Sequence, residues 1–193
     1  MGLEVDGDLL VNWRSNTLSP RSKQLSTISA VYEINQEILA YDGRATFDEG
    51  GTVTRPPNED LDSAYDTVRM WWDKVLIGIE PLHSAMENPE KIKELREPES
   101  PSSLLFKPVG QVVLFKGLIH AVKKGMDLDV AIQRANLIDW CIGADHWKGS
   151  VVTHAGRMST GKAVKTLASN LVGYLLGAPF TPKALKVLKA AWN

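Results

Sequence analysis

The chain has 193 residues, 44% hydrophobic and 23% charged, with a formal net charge of −1. That is enough apolar sequence to bury a core, and the composition excludes disorder as the main state. No run approaches the roughly 20 apolar residues of a membrane span. The opening MGLEVDGDLL has neither the basic nor the apolar region of a secretory signal. One cysteine, Cys141, excludes an internal disulfide, and there is no Cys/His set for a structural zinc. A reducing cytoplasm is therefore the expected compartment.

The near-zero total hides a strong polarity. Residues 1–100 carry 10 Lys+Arg against 19 Asp+Glu, a balance of −9, and residues 101–193 carry 12 against 4, a balance of +8. The last acid is Asp145. After it come Lys148, Arg157, Lys162, Lys165, Lys183, Lys186 and Lys189 with no carboxylate. Such a half carries a positive field whatever the total charge. It suits a nucleic acid or another polyanion, or an acidic surface of this chain or of a partner.

In chain order, residues 1–18 read as irregular and 19–193 as a single helical domain. Ser19-Pro20 looks like an N-cap followed by proline at the first helical position. Leu25, Ile28, Val31, Tyr32, Ile34, Ile38 and Leu39 then predict an amphipathic helix of about five turns, ending near Gly43. Residues 42–57, rich in Gly, Pro and charge, read as a mobile loop. Asn58 caps a second helix with Glu59, Asp60 and Asp62 in its first turns, and Pro81 ends or restarts it. Asn88-Pro89 opens a short helix to about Arg96, and residues 97–103 form a loop.

Pro108 sets the start of a strongly apolar helix that Gly125 stops, and Asp127 caps the next. Residues 139–158 look irregular, with at most a short strand near 150–154. Ser159 or Thr160 opens a helix that Gly177 stops, and Thr181-Pro182 starts the last one. The expectation is a mostly α, bundle-like domain of about seven helices, with no βαβ alternation.

Gly156-Arg157-Met158-Ser159-Thr160-Gly161-Lys162 fits G-x-x-x-x-G-K, but Ala163 stands where a P-loop needs a magnesium-binding hydroxyl. A glycine-rich turn entering a helix beside Arg157 and Lys162 remains a natural place for an anion, a nucleic-acid phosphate included. A plain helix entry explains the same residues. His120, His146 and His154 lack metal-ligand spacing; a general base in the Asp145-to-His154 segment is one reading, structural histidines the other. Cys141 reads as a buried thiol. Trp71 and Trp72 point about 100° apart on their helix and cannot share one core, so one packs either against another domain or chain or under the loop at 42–57. Trp140 and Trp147 read as stacking aromatics or as core.

Three segments together resemble one family: TLSPRSKQLSTISA (residues 17–30); Ile138-Asp139-Trp140 followed by Trp147-Lys148-Gly149; and Gly156-Arg157-Met158-Ser159 with the helix ending Leu175-Leu176-Gly177. Their order resembles the C-terminal helical part of the DGQHR-domain proteins, the DndB-like family of DNA sulfur modification, over about residues 10–185. The DGQHR string of the family's ParB-like domain is missing; Asp42-Gly43-Arg44 is only a fragment of it.

The resemblance implies a helical domain that binds DNA as a regulator in phosphorothioate modification and defence. The family's catalytic chemistry would lie in the missing domain, so no catalysis and no cofactor are expected here. The expected partner is DNA, with a homo-oligomer or a chain supplying the ParB-like domain as further partners. Phosphate contacts are expected from Lys148, Arg157, Ser159, Thr160, Lys162, Lys165, Lys183, Lys186 and Lys189. The competing readings are a protein-interaction module using the basic half and an exposed Trp71 or Trp72, and a degenerate nucleotide-binding protein built on Gly156–Lys162.

Overall fold

Residues 4–5, 8–44, 58–96 and 102–190 are described by the structure, a computed structural model. Among them lie eight α-helices and four two-residue strands. β1 (Glu4–Val5) pairs antiparallel with β2 (Asp8–Leu9). β3 (Val11–Asn12) pairs in parallel with β4 (Ser26–Thr27), Val11 opposite Ser26 and Asn12 opposite Thr27. The helices are α1 (Ile28–Tyr41), α2 (Asn58–Gly78), α3 (Glu80–Glu87), α4 (Glu90–Arg96), α5 (Pro108–Lys123), α6 (Leu128–Ala135), α7 (Lys162–Leu175) and α8 (Pro182–Ala190). The mostly helical expectation holds. The expected loop at 42–57 falls mainly outside the described residues.

The fold is organised around α5. Its sequence is apolar all round, and a helix of that kind is stable only when neighbours cover every side. Eleven of its residues, from Val109 to Ala121, are buried. α1, α6 and α7 pack directly on it, and α2 packs on α1 and α6. Two glycines set the approach distances. A Cβ on Gly110 would stand 1.9 Å from the Leu104 carbonyl oxygen, and one on Gly117 2.4 Å from a Val172 methyl in α7. The local stop signals work as read. Gly125 and Gly177 take positive φ (89° and 82°) just after α5 and α7, and Asp127 accepts from the N–H groups of Asp129 and Val130 to cap α6.

The first long helix departs from expectation. It begins at Ile28 with Thr27 as its cap, nine residues after Ser19. Ser19 instead closes a turn, accepting from the Ser22 N–H at 3.0 Å. The cause is Arg96, only 1% exposed. Its guanidinium donates to the carbonyls of Ser22 (2.6 Å), Gln24 (2.6 Å), Leu25 (3.4 Å) and Phe106 (2.9 Å). Gln111 of α5 adds a second donor to Leu25 O at 2.8 Å. With these carbonyls bonded to side chains, and the Leu25 and Ser26 N–H groups donating to Leu10 O, residues 22–25 find their partners outside a helix and insert Leu25 into the core. Burial lowers the Arg96 pKa to about 10, which leaves it charged at neutral pH.

Other expectations shift with the packing. Trp71 and Trp72 are both buried, 2% and 7% exposed. Trp71 meets the edge of Tyr41, while Trp72 lies against Phe115 and donates from Nε1 to Asn35 Oδ1 at 2.8 Å. The 100° between them is absorbed because α2 has α1 beside one flank and α6 beside another. Neither indole is an exposed anchor. Near 150–154 there is no strand, only isolated bridges of Val152 to Lys148 and to Met158. Residues 8–12, expected to be irregular, contribute Leu10 and Val11 to the core.

Arg96→Lys leaves a single nitrogen for four carbonyls. Each orphaned buried acceptor costs about 1–3 kcal/mol, so urea denaturation should show a loss of about 3 kcal/mol or more. Gly110→Ala should cost about 1–3 kcal/mol by overpacking against the Leu104 backbone. Gly143→Ala, whose Cβ would have only Cys141 Sγ near it at 3.7 Å, should change stability little in the same assay.

Candidate nucleic-acid interface

The late basic residues do not behave as one set. Lys165 lies in the first turn of α7 with an 18% exposed side chain and pairs with Glu33 of α1. Lys116 of α5 joins the same group, 3.2 Å from Glu33 and 2.9 Å from Glu37. Burial raises the Glu33 carboxyl, but the hydrogen bonds and charges of Lys165 and Lys116 outweigh it and hold the group below its usual value. Lys165 is thus a tie between α7 and α1, already neutralised. Lys148 is more open and pairs with Asp145 at 2.7 Å.

Arg157, Lys162, Lys183, Lys186 and Lys189 are exposed and form no ion pair among the described residues. On α8, Lys183, Lys186 and Lys189 recur every three residues and so form one stripe. Leu188 is buried on the other side of that helix. Thr181 accepts from the Ala184 N–H at 3.3 Å and caps it.

The Gly156–Lys162 segment is not a phosphate-wrapping loop. It is a tight return. Gly156, with φ +75°, donates its N–H to Thr153 O (2.8 Å). The Arg157 N–H goes to Thr153 Oγ1 (3.1 Å) and the Ser159 N–H to Val151 O (2.8 Å). The Gly156, Arg157 and Ser159 N–H groups are thus spent on the chain itself. The return holds Arg157 out at its tip and delivers the backbone to Gly161, which is the N-cap of α7. Ser159 and Thr160 were the expected caps; neither hydroxyl reaches the helix, because the chain is still turning there. The first turn of α7 holds no acidic residue, and Gly161 supplies no side-chain cap. Its opening N–H groups therefore keep the positive end of the helix dipole uncompensated beside Lys162.

Of the two readings of Trp140 and Trp147, the core one holds. Trp140 and Trp147 are buried and stacked on each other at 5.2 Å, with Nε1 groups donating to Ala135 O (2.9 Å) and Asp139 O (3.0 Å). They hold residues 139–150 together. His146 packs on Trp147 and His120 on Phe180, and burial lowers both imidazole pKa values, keeping them neutral. Cys141 is half-buried and reduced. No three His, Cys, Asp or Glu side chains converge as metal ligands among the described residues. A cleft lined by Arg134, Leu137, Ile138, His146, Leu176 and Gly177 separates α6 from the end of α7; Arg134 is committed there to Leu176 O at 2.7 Å.

Sequence reasoning missed one exposed feature. Trp13 is 59% and Tyr32 57% exposed. The signal available was the polar run Asn12, Ser15, Asn16 and Thr17 around Trp13, which suits a self-bonded loop better than a core strand. No helix among the described residues is long and apolar enough to cross a membrane.

Among known proteins, the DndB family profile, described as DNA-sulfur modification-associated, matches residues 9–179. No curated protein and no solved structure matches the chain.

The Lys165–Glu33 tie has a pH signature. A carboxyl held below its unfolded value of 4.5 contributes stability above that pH and loses it as pH falls through the lowered folded value. Lys165→Met should reduce stability at neutral pH by about 1–2 kcal/mol. It should also flatten the loss below the unfolded carboxyl value, as read by urea titrations from neutral to acid pH.

Proposed function

The chain belongs to the DndB family of DNA-sulfur-modification-associated proteins, and from that premise we propose that it serves the modification system by contacting DNA phosphates, without catalysing a reaction itself. The observation that carries this reading is the sorting of the late basic residues. Lys165 is internally neutralised, while Arg157, Lys162, Lys183, Lys186 and Lys189 stand exposed with no carboxylate on them among the described residues. Around them the Ser159 and Thr160 hydroxyls and the opening N–H groups of α7 are further donors for phosphate oxygens. Lys148 can join by leaving the exposed Asp145.

Phosphate contacts position a protein on a duplex without reading its sequence. Nothing in α7 or α8 calls for base readout, so the contact is general rather than operator-specific. The non-catalytic part of the reading is supported by the packing of His120 and His146 against aromatic rings, and by the internal bonding of the Gly156, Arg157 and Ser159 N–H groups, which leaves fewer donors for a nucleotide. The interaction-module reading loses its anchor with the burial of Trp71 and Trp72. The cytoplasm, where the DNA is, is the compartment this function requires.

Binding to a duplex of arbitrary sequence should weaken steeply with salt, with a log–log slope of roughly −4 to −5 for about five phosphate contacts. Arg157→Ala/Lys162→Ala should reduce affinity at low salt and make the slope shallower by about 2, the same for every duplex sequence. Fluorescence anisotropy across a salt series measures both. A salt-insensitive complex, or none at low salt, would refute the reading.

A further inference from the structure

The segment just before α1 displays an indole where a folded chain ordinarily hides one. An indole left in water forgoes burial of roughly 150–250 Å². Trp13 is nonetheless held in a well-bonded loop. Asn12 Oδ1 accepts from the N–H groups of Arg14 (3.0 Å) and Ser15 (3.2 Å), and Ser15 Oγ meets both the N–H and the hydroxyl of Thr17 at 3.1 Å. Two ties fix this loop over the start of α1: Asn12 pairs with Thr27 across β3 and β4, and the Ser29 hydroxyl donates to Asn16 Oδ1. Tyr32 follows Ser29 by three residues, on the same outward face of α1.

Exposed cations lie on the segments next to these two rings. Arg14 is exposed and forms no ion pair among the described residues. The Lys165–Glu33 tie brings the first turn of α7, which begins at Lys162, to the residue that follows Tyr32. Glu33 and Glu37, the carboxylates on this side of α1, are matched by Lys116 and Lys165. The face therefore joins two exposed aromatic rings to unmatched positive charge.

We propose that Trp13 and Tyr32, flanked by Arg14 and Lys162, form a stacking site for the bases of single-stranded nucleic acid. This rests on the phosphate-contact reading and adds single strands to the duplex as a form of nucleic acid the chain takes. Bases in a duplex are stacked on each other and offer no free face to a surface ring. An unpaired strand offers both a π-face for the rings and a phosphate chain for the cations. The hydrogen-bonded loop fixes the backbone that carries the indole, so part of the ordering cost of stacking is met before the strand arrives.

The test compares a labelled oligothymidylate of about 12 nucleotides with a hairpin duplex of similar length, a span suited to one single-strand site. The full chain is used at low salt. Trp13→Ala should weaken oligothymidylate binding by about tenfold and leave duplex binding within about twofold, and Trp13→Phe should retain most of the affinity. Tyr32→Ala should act in the same direction. Because both side chains are exposed, thermal melts of the variants should match the parent. If Trp13→Ala leaves the oligothymidylate unaffected, or weakens both forms alike, the stacking site is refuted. A duplex that still binds with steep salt dependence then keeps the phosphate-contact reading intact. If neither form binds, both are refuted.

Discussion

A guanidinium that pairs with no carboxylate among the described residues ties this fold together. Arg96 ends α4, yet its hydrogen bonds reach back to Ser22, Gln24 and Leu25 and forward to Phe106. A charge removed from water is costly unless its donors are matched. Here backbone carbonyls match them, and the matching works in both directions. The non-helical stretch before α1 would otherwise hold bare carbonyls against the core. One side chain thus satisfies the arrival of the N-terminal segment, the end of α4 and the turn that precedes α5. Gln111 repeats the motif from α5, bonding the carbonyls of Leu25 and Leu105.

From that knot the rest of the architecture follows. With residues 22–25 pinned, Leu25 enters the core and α1 begins at Ile28, capped by Thr27 and laid along α5. α5 is then covered by α1, α6 and α7, with glycines where the backbones come closest. The charged residues sort themselves by this packing. Acids of α1 meet lysines of α5 and α7 where the helices converge, so part of the chain's charge polarity is cancelled inside the molecule. The remainder, on the 153–161 return and along α8, stays outside. This separation gives the functional reading its content: a basic residue counts toward a polyanion surface only when the fold leaves it unmatched.

Much of the local architecture was legible because its causes lie within a few residues. Pro108 and Pro182 open their helices, Asp127 caps α6, and Gly125 and Gly177 close α5 and α7. The start of α1 was not legible. Ser19-Pro20 carries a sound local signal, and the competing bonds come from a residue more than seventy positions away. The tryptophans misled for a related reason. Trp71, Trp72, Trp140 and Trp147 are buried, whereas Trp13 lies in a stretch with no periodicity to mark its face. Exposure depends on which elements surround a ring, and adjacency in sequence says little about that.

The sequence by itself determined the helical character, most helix ends, the polarity of charge and, through short segments in order, the family. These are local or additive properties: caps, periodicity, composition and motif order. Tertiary structure alone decided that Lys165 is a structural tie while Lys162 is open, that the glycine-rich return bonds to itself, and that Trp13 is the displayed indole among the described tryptophans. Each depends on contacts between segments far apart in the chain. Burial and charge matching are properties of the space around a side chain, and that space exists only once α1, α5 and α7 have come together.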